Sequence, residues 1–274
     1  MYIAVDIGGT KTLVAKVDDQ GQIVTEKKCE TIKDFDEFME KLFGAIEEVA
    51  GNMDEVHAIG VAAPGLVDKK TKTLKIAGHL PWIDADIVTP LAEKYSKPAL
   101  IDNDANLGAL SEAVAGAGKD FREVLYITVS TGIGTGVVYD GVVDPSLADS
   151  EGGMMHFRHD GKLMLWEAFA SGSAFVERFG AMGKDVDDPE IWKQYAEDLS
   201  LGFGSLIAVI QPEVIVVGGS MGEHLHKYHA FLVDALTTTK ARTVRIPQIV
   251  EAKDAHRAVV NGCYVMAKQA HERN

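Results

Sequence analysis

Three observations predict an α/β fold built from two similar halves. A short apolar run at the start of the chain ends in a tight Gly-Gly turn. The same strand, Gly/Thr-rich turn, strand layout recurs from Val124. Between and after these, β-branched runs alternate with apolar residues at helical spacing. The chain of 274 residues suffices for one large domain or two moderate ones, and 46% hydrophobic residues supply a core. A net charge of −14 argues against a nucleic-acid-binding face, which would need a clustered positive field.

The elements follow in order. Tyr2 to Val5 reads as a buried strand with Asp6 at its end. Ile7, Gly8, Gly9, Thr10, Lys11 and Thr12 then lead into a second strand from Leu13 to Val17. Adjacent glycines let backbone N–H groups approach an anion closely, and Thr10 and Lys11 add a hydroxyl and a cation. An Asp beside such a nest is placed to hold a hydrated Mg²⁺, which takes one or two carboxylates with waters and phosphate oxygens. A plain Gly-Gly hairpin fits the same residues. Ile23 to Lys28 is a third strand, and Phe35, Phe38, Leu42, Ile46 and Val49 set an amphipathic helix over 34–51. Val56 to Ala62 is a strand stopped by Pro64-Gly65, a loop of the kind that contacts ligands at the carboxyl end of a sheet. A helix over 87–95 and a strand over 98–101 lead to Asp102-Asn103-Asp104-Ala105-Asn106, and an Ala-rich helix runs from Leu107 to Ala115.

The second cycle places a strand at Leu125 to Val129, a turn at Ser130 to Gly136 and a strand at Val137 to Tyr139. Residues 149–166 read as irregular. Helices follow over 166–179 and 191–209, then a buried strand over 214–217 ending in Gly218-Gly219-Ser220. A helix near 225–237, a strand over 244–250 and a helix over 255–270 complete the chain. Two cysteines, Cys29 and Cys263, give no disulfide framework, and no apolar run is long enough to span a bilayer as a helix; the expectation is a cytoplasmic protein without membrane contact.

Two Gly/Thr turns that open into one cleft would grip one polyphosphate from two sides. Asn103-Asp104 can orient a hydroxyl and take its proton, as phosphoryl transfer to an alcohol requires. The same run is equally suited to cap the next helix. Glu151 and Glu167 can accept from vicinal hydroxyls, although surface glutamates need no such role. His156 and His159 read as polar loop residues rather than metal ligands, and Gly218-Gly219 suits either a flat ring or helix–strand packing.

Taken together, AspIleGlyGlyThrLys at 6–11, AlaProGly at 63–65, AsnAspAlaAsn at 103–106, ThrGlyIleGlyThrGly at 131–136 and ValGlyGly at 217–219 resemble the ROK family of bacterial sugar kinases, glucokinase-like proteins and repressors. The resemblance implies an actin-like ATPase fold, hexokinase-type and ribonuclease H-like, in two domains: 1–107 completed by the C-terminal helix 255–274, and 108–254. It implies ATP as donor with Mg²⁺, and the 6-hydroxyl of a hexose or amino sugar as acceptor. By matching position, Asp104 is the catalytic base. Gly65, His79, Asn103, Glu151 and Glu167 lie on the sugar. Gly8, Gly9, Thr10, Lys11, Thr131, Gly132, Gly134, Thr135, Gly218 and Gly219 lie on ATP, and Asp6 holds Mg²⁺ through water.

The chain departs from the family pattern in three places, the first being His79, which stands where many relatives carry Asn. Met154 stands where the family has a histidine, with His156 a candidate substitute, and the family's zinc-binding cysteine cluster is missing, so no zinc site is expected. A homodimer is the expected assembly. A non-catalytic sugar or nucleotide sensor of the same fold is the alternative; retention of Asp104 with both turns weighs against it.

Overall fold

A computed structural model describes residues 1–273. The chain divides into two compact units, Met1–Ser111 with the segment from Arg257 onward, and Glu112–His256. The chain thus passes between them at Ser111/Glu112, inside a helix, and at His256/Arg257.

The first unit holds a five-stranded sheet made of β1 (Tyr2–Ile7), β2 (Lys11–Val17), β3 (Ile23–Glu30), β4 (Ala58–Ala63) and β8 (Ala99–Asn103), in the order β3-β2-β1-β4-β8. Strands β1, β2 and β3 form an antiparallel meander, and β4 and β8 add parallel to β1. Parallel strands here are buried on both faces, which is why β4 reads as six consecutive buried residues, AlaIleGlyValAlaAla. Helix α1 (Phe35–Ala50) is capped by Asp34, whose side chain accepts from the Glu37 N–H, and buries Phe38, Leu42, Ile46 and Val49 against the sheet. Helix α2 (Val88–Tyr95) precedes β8, and helix α3 (Asp104–Ala115) follows it without a loop. Three short strands, β5 (Leu66–Asp68), β6 (Thr73–Ile76) and β7 (Ile83–Ala85), form a separate antiparallel sheet that the sequence pattern did not announce. The last helix, α9 (Ala258–Glu272), lies on this unit: Cys263 is fully buried with its thiol against the Val5 carbonyl, and Tyr264 Oη donates to the Asp19 carbonyl at 3.0 Å.

The second unit repeats the plan. Strands β9 (Glu123–Val129), β10 (Ile133–Tyr139), β11 (Val142–Val143), β14 (Val214–Gly218) and β15 (Gln248–Glu251) form a sheet in the order β11-β10-β9-β14-β15, again with three antiparallel strands followed by two parallel ones. Its core is aromatic. Phe175, Trp192, Tyr195 and Tyr228 stack or meet edge to face at 5.0 to 6.0 Å, and Trp166 lies under Phe203.

Differences from the sequence expectation are local. The second turn is shorter than 130–136, because β10 begins at Ile133 and takes Gly134, Thr135 and Gly136 into the ladder. The stretch expected to be irregular contains a hairpin of β12 (His156–His159) and β13 (Lys162–Leu165), closed by Asp160-Gly161 with both residues at positive φ. The expected helix over 166–179 is two, α4 (Trp166–Ala170) and α5 (Gly172–Phe179). Ser171 between them is extended and accepts from the Ala174 N–H, restarting the helix as an N-cap. Helix α6 (Pro189–Ile210) begins with Asp188 as cap and Pro189 in its first turn, and α7 (Gly219–Gly222) and α8 (Leu225–Thr239) follow β14.

Candidate functional site

In the first unit the turn after β1 is closed by its own backbone. The Gly8 N–H donates to the Lys11 carbonyl at 3.0 Å, and Thr31 Oγ1 donates to the Gly8 carbonyl at 2.8 Å. Thr10 and Lys11 are exposed, Gly8 and Gly9 half-buried. His79 also stands here, its Cβ 3.2 Å from where a side chain on Gly9 would begin.

Strand β8 and helix α3 meet at Asn103/Asp104, so these residues are both strand end and helix start. Asn103 Oδ1 accepts from the Ala105 N–H at 2.8 Å, which is the capping role, while its Nδ2 donates to the Gly65 carbonyl at 2.9 Å. Capping and site-building coexist in one side chain. Gly65 has φ of +100°, and a Cβ there would lie 2.1 Å from the Ile76 carbonyl oxygen, so only glycine lets this loop reach Asn103. Asp102 ties the run down from below: it accepts from the Asn103 N–H at 2.7 Å and from Asn106 Nδ2 at 2.9 Å, and forms an ion pair with Lys69. Sequence reasoning counted Asp102 only within a capping run and passed over Lys69.

Asp104 Oδ1 accepts from the Ala105 N–H at 2.9 Å, yet burial outweighs this and raises its pKa above the usual carboxylate range. Asp6 is pushed up to about 6, first by burial and then by the charge of Asp104. Among the described residues, no hydrogen-bond donor or counter-ion answers the Asp6 carboxylate. Two half-buried carboxylates that repel each other, one of them uncompensated, fit a hydrated divalent cation with few protein ligands. Among the described residues no three His, Cys, Asp or Glu side chains cluster as metal ligands.

In the second unit the turn Ser130-Thr131-Gly132 is closed by the Ser130 N–H on the Gly132 carbonyl at 3.0 Å, with Thr131 exposed. Glu167, in the first turn of α4, reaches this turn directly: its Oε2 accepts from the Ile133 N–H at 3.2 Å. Thr135 is a correction. Its side chain faces inward from β10, 4% exposed, and its hydroxyl accepts from the Gly152 N–H at 3.1 Å and meets the Ser150 carbonyl at 3.4 Å. It therefore fixes the segment carrying Glu151 rather than offering a hydroxyl to phosphate. Gly134, also within β10, is half-buried. Glu151 itself is exposed, at the start of a short 3₁₀ turn over 152–154. His156 is exposed, whereas His159 is not a loop residue: it ends β12, and its Nε2 meets Asp198 Oδ1 at 2.9 Å.

Beside the turn opens a cleft of about 620 Å³, lined by Ser130, Thr131, Ser173, Met182, Lys184 and His224 among others, a volume that suits a nucleoside. Its far wall is Ser220-Met221, which follow Gly218-Gly219. Gly219 has φ of +74°, and a Cβ there would stand 2.4 Å from the Val129 carbonyl oxygen. The glycine pair is thus required by packing on β9, and that packing sets one wall of the cleft. The lining residues Met182, Lys184 and His224 carried no sequence signal, since they come from three separate loops.

The profile of the ROK family matches residues 2–270. An N-acetyl-D-glucosamine kinase of Mannheimia succiniciproducens is 25% identical, over 96% of this chain and 97% of its own. A solved ROK hexokinase from Thermus thermophilus superposes with a TM-score of 0.81 at 26% identity, covering 100% of this chain and 99% of the other. A ROK family glucokinase from Streptomyces griseus, solved with glucose and AMPPNP, superposes at 0.82 with 22% identity over 98% and 99%. A match that runs almost from end to end, in profile and in fold alike, means that this chain belongs to the ROK family and has its actin-like, hexokinase-type ATPase fold.

Proposed function

We propose that this protein transfers the γ-phosphoryl group of ATP to a hydroxyl of a hexose or amino sugar, the 6-hydroxyl being the expected acceptor. The observation that carries the reading is Asp104: a carboxylate of raised pKa at the start of α3, beside Asn103, whose amide is locked to the Gly65 loop. A base whose pKa lies nearer the operating pH is a better proton acceptor than an ordinary carboxylate. The kinase-named relatives and the glucokinase solved with glucose and AMPPNP support the same reading.

In this mechanism Asp104 accepts the proton of the sugar hydroxyl as its oxygen attacks the γ-phosphorus in line, and ADP leaves. Asn103, Gly65, His79, Glu151 and Glu167 bind and orient the sugar. The N–H groups and side chains of Gly8, Gly9, Thr10 and Lys11, with those of Thr131 and Gly132, hold phosphate oxygens and take up developing charge. The nucleoside lies in the cleft bounded by Ser220, Met221 and His224, next to Gly218-Gly219. Asp6 would hold Mg²⁺ through water, and the ion would neutralise phosphate charge. Water must be kept from the γ-phosphate, since a base beside ATP otherwise promotes its hydrolysis. A cytoplasmic homodimer is part of this proposal; among the described residues no helix is long and apolar enough to cross a membrane.

The test is ADP formation with a panel of hexoses, N-acetylhexosamines and other polyols. Sugar-dependent ADP release with at least one acceptor is expected. Sugar binding without ADP would replace the kinase with a sensor.

A further inference from the structure

Helix α6 is apolar along much of its length, yet a carboxylate sits in its middle. Asp198 is 8% exposed, between Ala196 and Leu199, both fully buried. Burial raises its pKa, and the neighbouring Arg178 and His159 oppose that rise. A buried charge left unpaired costs several kcal/mol, so such a residue is retained only with its partners in place.

Arg178, on α5, holds one carboxylate oxygen of Asp198, while His159 and the Asp198 backbone link it to α4. Asp198 Oδ2 pairs with Arg178 Nη1, and Oδ1 meets His159 Nε2 at 2.9 Å. The His159 ring stacks on Phe169, with centroids 4.3 Å apart and planes 10° from parallel. The backbone carbonyl of the same Asp198 accepts from Trp166 Nε1 at 3.3 Å, and the Trp166 indole lies on Gly202 one turn further along α6. Trp166 and Phe169 are the two buried aromatic residues of α4, a helix of only five residues, and Glu167 lies between them. A helix this short has almost no stability of its own and takes its position from what holds its side chains. Glu167, in turn, presents Oε2 to the Ile133 N–H at 3.2 Å beside the phosphate turn.

We infer that Asp198 is a positioning residue for the acceptor site: its carboxylate, through His159 and Phe169, fixes the orientation of α4 and hence of the Glu167 carboxylate, while its backbone carbonyl holds Trp166. The inference rests on the proposed role of Glu167 in binding the sugar. Its physical content is that Asp198 has no direct part in the reaction and acts only through Glu167. Sequence pattern gives no distinct signal for it, since Glu197 stands beside it in the same helix.

A double-mutant cycle separates this from simple scaffolding, because residues that act through one another give non-additive effects. Asp198→Asn keeps the shape and one acceptor oxygen but removes the charge that holds Arg178 and His159. In the parent background it should lower kcat/KM for the acceptor about 10-fold; in a Glu167→Gln background it should lower it less than about 2-fold. Equal losses in both backgrounds, or a drop in melting temperature with unchanged kcat/KM, would overturn the inference. Should Asp198→Asn fail to fold, His159→Gln, which removes the stacked ring on the surface-facing side of the network, is carried through the same cycle with the same expectation. The parent is assayed first. If it binds sugar without forming ADP, the kinase reading fails alone and the cycle is read on sugar Kd by calorimetry. A parent that neither binds nor phosphorylates any sugar refutes both.

Discussion

The two glycine turns of this molecule share one frame and differ in what surrounds them. Each joins the first two strands of a five-stranded sheet with the same strand order, three antiparallel strands and then two parallel ones. The turn at 8–11 stands in a unit where two half-buried carboxylates, Asp6 and Asp104, are held above their ordinary pKa. The turn at 130–132 stands beside an apolar cleft, with the Ile133 N–H already answered by Glu167. The same strand order therefore carries a charged, mutually repulsive environment in one copy and a satisfied, concave one in the other. The first environment suits proton transfer and charge neutralisation, the second suits holding a nucleoside. On this account, chemistry belongs to the first unit and nucleotide binding mostly to the second.

The largest effect should come from the charged side of this comparison. Asp6→Asn should lower kcat/KM by roughly 10²-fold, as loss of a group that supports charge neutralisation in the transition state commonly does. The same change should stabilise the ligand-free protein. Asp6 is pushed up to about 6 in the native state, above the ordinary aspartate value of 3.8, so the native state holds its proton over a range where the unfolded chain has released it. Stability from this group is therefore full below about pH 4 and lost as pH rises through about 6. Thermal melts should show Asp6→Asn more stable than the parent at pH 8, by on the order of 2 kcal/mol, with the gap closing near pH 4. An unchanged melting temperature at pH 8 would remove the charge conflict on which the contrast rests. The pH profile of kcat/KM should carry an acid limb near pH 6, and a flat profile down to pH 5 would count against ionised carboxylates at the site.

A smaller effect is expected at the loop that shapes the acceptor side. Gly65→Ala places a side chain at positive φ and against the Ile76 carbonyl, so it should cost about 2 kcal/mol of stability and raise KM for the sugar more than KM for ATP. A variant with parental sugar KM would show that the loop does not shape the acceptor site. The smallest effect tests the satisfied side. Thr135→Val leaves the Gly152 N–H without its acceptor and should cost about 1 kcal/mol in denaturant titration. If KM for ATP rose tenfold at unchanged stability instead, the hydroxyl would belong to the phosphate site after all.

Much of this contrast was legible in the sequence, for physical reasons that differ by residue. The two turns stood out because the same strand, Gly/Thr-rich turn, strand layout occurs twice, and Asp104 because an acid after Asn103 at a strand–helix junction suits both a cap and a base. The hairpin β12–β13 was hidden: its residues are half-exposed and mixed in character, so period-two alternation is weak, and only Asp160-Gly161 marked it. Thr135 misled because one strand residue can look like part of a Gly/Thr turn until its register against Ile127 is known. The cleft lining was out of reach, since Met182, Lys184 and His224 are brought together only by tertiary packing. Asp198 was not singled out, because its partners Arg178 and His159 lie 20 and 39 residues away and only the fold brings them to it.

The division of labour between the two environments is tested most directly by following one variant, Asp104→Asn, in a single preparation for both turnover with the best acceptor and ATP affinity by calorimetry. Turnover should fall by about 10² or more while the Kd for ATP stays within about twofold of the parent. Parental turnover, or a loss of ATP affinity as large as the loss of rate, would contradict the account.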